Sequence, residues 1–131
     1  MTTDLEQVMR DFKRGFARAD RASLERAVTD DFEWHLHWFD DDDDRPTGRV
    51  LSTLDEVMAE IERRRDHWTE LRYDGVEERY TDDLVVQTFT VSGVDGNGRR
   101  FHHAAVDLYP IRHGRIAAKQ TYWKQPRSVT D

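Results

Sequence analysis

The chain has 131 residues and a mass of 15.5 kDa, room for one domain around one core. Hydrophobic residues make up 37% and charged residues 36%, and the net charge of −7 excludes the positive field that a nucleic-acid or anionic-membrane surface needs. The absence of cysteine excludes disulfides, thiolate metal sites and thiol nucleophiles, and with only 3 lysines against 17 arginines each lysine is worth locating.

Leu5, Val8, Met9, Phe12, Phe16 and Ala19 recur at three- and four-residue steps, which predicts an amphipathic helix over residues 4 to 19, opened by a Thr3–Glu6 capping box. Asp20 caps a short second helix through Leu24, Ala27 and Val28 that ends near Asp30 and Asp31. Residues 32 to 39 alternate strictly, Phe32, Trp34, Leu36 and Trp38 against Glu33, His35 and His37, as a half-buried strand does. The run Asp40 to Asp44 lacks the glycine and terminal glutamate of a calcium loop, so it reads as a solvated acidic turn. Thr53 and Glu56 repeat the capping box before a third helix marked by Leu54, Val57, Met58, Ile61 and Trp68. Four strands follow over 70 to 80, 84 to 92, 99 to 109 and 115 to 124, joined by turns at Thr81–Asp83, Gly93–Gly98 and His113–Gly114. Residues 1 to 125 form the single domain, and 126 to 131 a tail. No apolar run approaches the ~18 residues of a membrane span, and the N-terminus lacks a signal-peptide layout, so a cytoplasmic protein is expected.

This order gives an α+β fold: a curved antiparallel sheet covered on its concave face by three N-terminal helices. The covered face must be apolar, which turns Phe32, Trp34, Leu36 and Trp38 inward on the first strand. On the last hairpin a two-residue turn at His113–Gly114 sets Val106 opposite Thr121 and Leu108 opposite Lys119. His102, Ala104, Val106, Leu108, Lys119, Thr121 and Trp123 then point inward, and His103, Asp107, Gln120 and Tyr122 outward. A slip of one residue would exchange the two sets.

Three stretches, ARADRASLERAVTDDFEWHL, RPTGR and HGRIAAKQTYWK, resemble the nuclear transport factor 2-like superfamily and its SnoaL-like domains, whose relatives include ketosteroid isomerase, limonene epoxide hydrolase and polyketide cyclases. The resemblance implies a cone-shaped fold with a small apolar pocket, and a homodimer through the outer sheet face. The isomerase's base, oxyanion acid and tyrosine fall on Leu36, near Val106 and on Phe12, all apolar, which argues against that activity.

Lys119 in an apolar strand is the first candidate for chemistry, as general acid, Schiff-base amine or anion anchor, with His102 as the group for proton transfer near neutral pH. Phe12, Phe16, Trp34, Leu36, Trp38, Val106, Thr121 and Trp123 are the expected ligand walls. The pair His35 and His37 would face outward, so neither a metal nor another cofactor is expected there. The expected partners are a small hydrophobic molecule and a second copy of the chain, with His35, His37, Asp107 and Tyr122 in the dimer surface. Two readings stay open: an enzyme of cyclase, isomerase or dehydratase type, and a binding domain without catalysis.

Overall fold

The computed structural model describes residues 4–37 and 48–124. Helices α1 (Asp4–Arg18) and α2 (Arg21–Ala27) lead into strand β1 (Val28–His37), and the short β2 (Arg49–Leu51) precedes α3 (Leu54–His67). Strands β3 (Thr69–Tyr80), β4 (Leu84–Val94), β5 (Arg100–Arg112) and β6 (Arg115–Trp123) complete one curved six-stranded sheet in the order β2-β1-β6-β5-β4-β3. Trp38, the acidic run and the tail lie outside the described residues, as does Thr3.

The caps act as their sequences require. Asp20 accepts hydrogen bonds from the Ala22 and Ser23 amides at 3.1 and 3.4 Å, and Thr53 Oγ1 accepts from the Glu56 amide at 3.1 Å. In the β4–β5 turn, Asp95 Oδ1 accepts from the Asn97 and Arg99 amides, both at 2.9 Å.

Three features correct the expected layout. β1 begins at Val28, because buried Val28 already pairs with Ile116 of β6 and Asp31 is held by Arg112. Arg49 opens an unexpected strand, β2, which pairs with β1 from Trp34–Leu51 to Leu36–Arg49. The sheet is mixed: β3 to β6 are hairpin-linked and antiparallel, but β6 docks parallel beside β1, with which it shares no hairpin.

The last hairpin is where register decides the site. Arg112 pairs with Arg115 and Ile111 with Ile116, as a two-residue turn demands. Beyond them the ladder shifts, and Leu108 pairs with Gln120, Val106 with Tyr122 and Asp107 with Thr121. Three residues of β6, Ala117 to Lys119, span what two of β5, Tyr109 and Pro110, span opposite them, which is a β-bulge. The extra residue reverses the face of β5 relative to expectation. Ala105, Asp107 and Tyr109 are buried on the inner face, while His102 is exposed and Val106 and Leu108 point outward.

Candidate functional site

The inner face is packed by α1 and α3. On α1, Met9 and Phe12 are buried and Phe16 packs against them, one stripe at helical spacing. On α3 the buried stripe is Val57, Glu60, Ile61 and Arg64, so a carboxylate and a guanidinium enter the core together, four residues apart. Between these helices and the inner sheet opens a cavity of about 380 Å³. Phe12, Phe16, Ile61, Leu71 and Val76 give it apolar walls; Gln87, Tyr73, Tyr109 and Lys119 line it from the sheet, with Arg64 on α3 and Lys13 and Arg65 also in its lining. Among the described residues, four basic side chains line it and no acidic one does. A second hollow of about 340 Å³, beside Glu25, Val28 and Asp30, is more polar and, among the described residues, contains no buried ionisable group.

Lys119 is 8% exposed and neighbours Trp34 across the parallel β1–β6 ladder. Its Nζ lies 3.8 Å from the ring centroid of Phe16, 4.8 Å from that of Trp34 and 5.6 Å from that of Phe12. Asp107 Oδ2 is 3.8 Å away, beyond hydrogen-bond length. Burial pushes the Lys119 ammonium down from its ordinary 10.5 to about 8; Arg64 adds to the shift and Asp107 opposes it.

Asp107 is 3% exposed. Its Oδ2 accepts a hydrogen bond from the Tyr109 hydroxyl at 3.2 Å, and its Oδ1 is buried with no hydrogen-bond partner among the described residues. Burial, then the charge of Asp107, raises the Tyr109 phenol well above its usual range, so this hydroxyl stays a donor. Tyr109 also approaches Gln87 Oε1 at 3.4 Å, and Gln87 donates to Glu78 at 2.8 Å, which in turn pairs with Lys13 at 3.0 Å. A polar chain therefore runs from Lys119 beneath the cavity to its rim.

Arg64 is compensated differently. Its guanidinium lies 4.7, 4.9 and 5.8 Å from the ring centroids of Trp34, Trp68 and Trp123 and donates to Glu60 at 2.9 Å. Glu60 also receives Arg49 at 3.0 Å and Arg63 at 2.7 Å. Burial alone would raise the Glu60 carboxyl, but Arg63 and Arg64 hold it below its ordinary value.

Of the residues expected at a site, Phe12, Phe16 and Lys119 line the cavity. Trp34, Leu36 and Thr121 lie in the buried core, where Trp34 Nε1 donates to Thr121 Oγ1 at 2.9 Å. Trp123 packs with Trp68 and Phe101 beside a second apolar cluster. His102 and Val106 are not brought to the cavity: the bulge in β6 shifts the register so that both face away. The same bulge removes Asp107 from the outer face, where His37 stacks on Tyr122 at 4.2 Å next to His35. Arg64, Asp107, Tyr109 and Gln87 were not among the expected site residues. Arg64 and Glu60 sit on the stripe that Val57 and Ile61 already mark, and Gln87 alternates with Val85 and Phe89, so periodicity carried a signal for each.

The SnoaL-like domain profile matches residues 9–119. No curated protein matches the chain in sequence. Among solved structures it is similar to a nuclear transport factor 2-like protein from Burkholderia xenovorans LB400, with 17% identity, a TM-score of 0.77 and coverage of 95% of this chain and 92% of that one. A second such protein, from Burkholderia pseudomallei K96243, shares 22% identity over 94% of this chain and 92% of its own, at a TM-score of 0.73. A protein with a ketosteroid isomerase-like fold from Catenulispora acidiphila DSM 44928, solved in complex with trimethylamine, shares 12% identity at a TM-score of 0.66, over 88% and 83% of the two chains.

Proposed function

Because the chain belongs to the SnoaL-like domain family, we propose that the cavity between α1, α3 and the inner sheet face is a small-molecule site, taking an apolar molecule with an anionic or carbonyl group that Lys119 holds and protonates. The observation that carries this reading is Lys119 itself, an amine in the cavity wall with no hydrogen-bonded carboxylate to occupy it. An ammonium near 8 gives and takes protons at ordinary pH, which an unperturbed lysine does poorly. The lining charges point the same way, since their counter-carboxylates Asp107, Glu60 and Glu78 are not in the cavity wall. The Catenulispora relative holds an amine, but here the aromatic faces that would receive a cation are taken by Lys119 and Arg64, which argues against a cationic ligand.

Binding without turnover is the second reading, and one observation favours it: Leu36 and Phe12 are apolar, so no second acid–base group stands opposite Lys119 on those elements. The bulge does bring Asp107, rather than Val106, to the inner face near the isomerase's oxyanion-acid position, but it sits beside Lys119, not across from it.

Tryptophan fluorescence titration with phenylacetate, phenylethanol and phenethylamine tests the site. The acid should bind about tenfold more tightly than the alcohol, a difference of ~1.4 kcal/mol, and Lys119→Met should reduce that preference. Equal binding of the amine would overturn the ligand class. Deuterium exchange at the methylene of bound phenylpyruvate separates the two readings: acceleration that depends on Lys119 supports catalysis, and saturable binding without it leaves a binding domain.

A further inference from the structure

We propose that Lys119 is a nucleophile that forms an imine with the carbonyl carbon of an apolar oxo acid bound in the cavity. The proposal rests on the cavity being a small-molecule site and adds the bond made there and the class of substrate. Four observations converge on Nζ. It faces a cavity of about 380 Å³, large enough for an aromatic or short aliphatic oxo acid. The rings of Phe12, Phe16 and Trp34 surround it and keep water from solvating the charged form. Asp107 Oδ2 stands 3.8 Å off, an ion pair close enough to take a proton after a small movement yet not hydrogen-bonded to the amine. Asp107 Oδ1 is buried without a partner among the described residues, so the carboxylate keeps an open acceptor for a proton in transit.

Arg64 supplies the substrate's second handle. It lines the same cavity and shares Trp34 with Lys119, so a carboxylate lying toward Arg64 would present a neighbouring carbonyl to the amine. A second cation nearby also favours the free amine, in keeping with an ammonium near 8.

The step balances without a further reagent. The lone pair of neutral Nζ attacks the carbonyl carbon, and the C–O π pair moves to oxygen. Asp107 carries a proton from nitrogen to that oxygen, giving a carbinolamine whose C–O bond then breaks. Both amine hydrogens end on the departing water, the C=N bond remains, and hydrolysis reverses the sequence. Tyr109, donating to Asp107 Oδ2, is a positioning residue in this scheme.

The chain has only Lys13, Lys119 and Lys124, so reductive trapping reads out cleanly. Native protein is incubated at pH 8 with phenylpyruvate and sodium cyanoborohydride, peptides are mapped by mass spectrometry, and binding is followed in parallel by tryptophan fluorescence. The expected result is a reduced adduct on Lys119 at least about tenfold faster than on Lys13 or Lys124, and faster than with the neutral ketone phenylacetone. Lys119→Arg, which keeps the cation, should retain binding and lose the adduct. Saturable binding with Lys119 labelled no faster than exposed Lys124 overturns the imine and leaves the binding site standing. Failure of phenylpyruvate, phenylacetate and phenylethanol alike to bind would overturn the small-molecule site and the imine with it.

Discussion

Two buried cations share the indole of Trp34, Arg64 at 4.7 Å and Lys119 at 4.8 Å from its ring centroid, so aromatic contact does not distinguish them. Their carboxylates do. Arg64 donates at 2.9 Å to Glu60, which three arginines hold from α3 and β2, whereas Lys119 meets Asp107 only at 3.8 Å. A guanidinium keeps its charge in any environment and must be neutralised where it is buried. An amine has a second option, to shed the proton, and so tolerates a loose partner. The α3 side is therefore locked by its ion pairs, whereas the β6 side leaves an amine that can change its protonation, although both lie against the same indole.

The largest effect should come from breaking the tight side. Glu60→Gln leaves Arg64 buried beside a neutral amide and should lower stability by roughly 3–5 kcal/mol in urea unfolding. Asp107→Asn should cost about 1–3 kcal/mol, because Lys119 can respond by deprotonating. Equal losses would break the comparison. The acid limb carries the same information. The folded Glu60 carboxyl lies below its ordinary 4.5, so its contribution is complete above that pH and is lost as pH falls through the depressed folded value.

The loose side should show itself at alkaline pH. With about 8 in the folded chain against 10.5 unfolded, Lys119 holds fewer protons folded than unfolded between those values, so its term makes stability rise with pH across that window. Below pH 8 the burial penalty is present in full. The groups facing the amine are Asp107 from β5, which opposes the shift, and Arg64 from α3, which adds to it. In Lys119→Met this titration is gone, and Asp107 lacks its cation at every pH of the series. The stability gap between native and variant should therefore move by roughly 3 kcal/mol in the native chain's favour between pH 7.5 and 10.5, read from urea midpoints across the series. A gap flat with pH would mean that Lys119 is solvated and not the desolvated amine the site requires.

Much of this was legible in the residues, and the exceptions have physical causes. The helices announce themselves by periodicity and caps, and Trp34 and Leu36 point inward because β1 alternates strictly from Phe32 to His37. Lys119 and Thr121 lie inward as the apolar set they belong to requires, although the two-residue turn register that buries Ile116 would, if unbroken, turn them outward. One extra residue in β6 between Ile116 and Gln120 turns Asp107 inward and His102 and Val106 outward. A bulge changes the parity of every residue beyond it while leaving local alternation intact, so no apolar pattern on β5 alone could reveal it. Pro110 was the available signal: it has no amide hydrogen to give the ladder, and prolines within strands collect where pairing is irregular. Glu60 and Arg64 escaped for a different reason. Charged side chains on a helix are read as its solvent face, and only their spacing from Val57 and Ile61 places them inside.

The smallest change tests whether the amine's surroundings are set by helix packing. Gly15 sits on the buried side of α1, where a Cβ would lie 2.5 Å from Leu24 Cγ, 2.6 Å from Leu24 Cδ2 and 3.2 Å from the Asp20 carbonyl oxygen. Leu24 can rotate but the backbone oxygen cannot, so Gly15→Ala should push α1 away from α2, at the lower end of the roughly 1–3 kcal/mol of overpacked cores. Phe12 and Phe16 travel with α1, and they are two of the three rings around Lys119, whereas the rings around Arg64 belong to β1, β6 and the end of α3. The variant should therefore admit water to Lys119 and raise the pH midpoint of its reductive labelling toward the ordinary lysine value, while the acid unfolding limb governed by Glu60 keeps its position. A labelling midpoint unmoved by a measurable loss of stability would show that β6 and Asp107 alone set the state of the amine, and that α1 is only its roof.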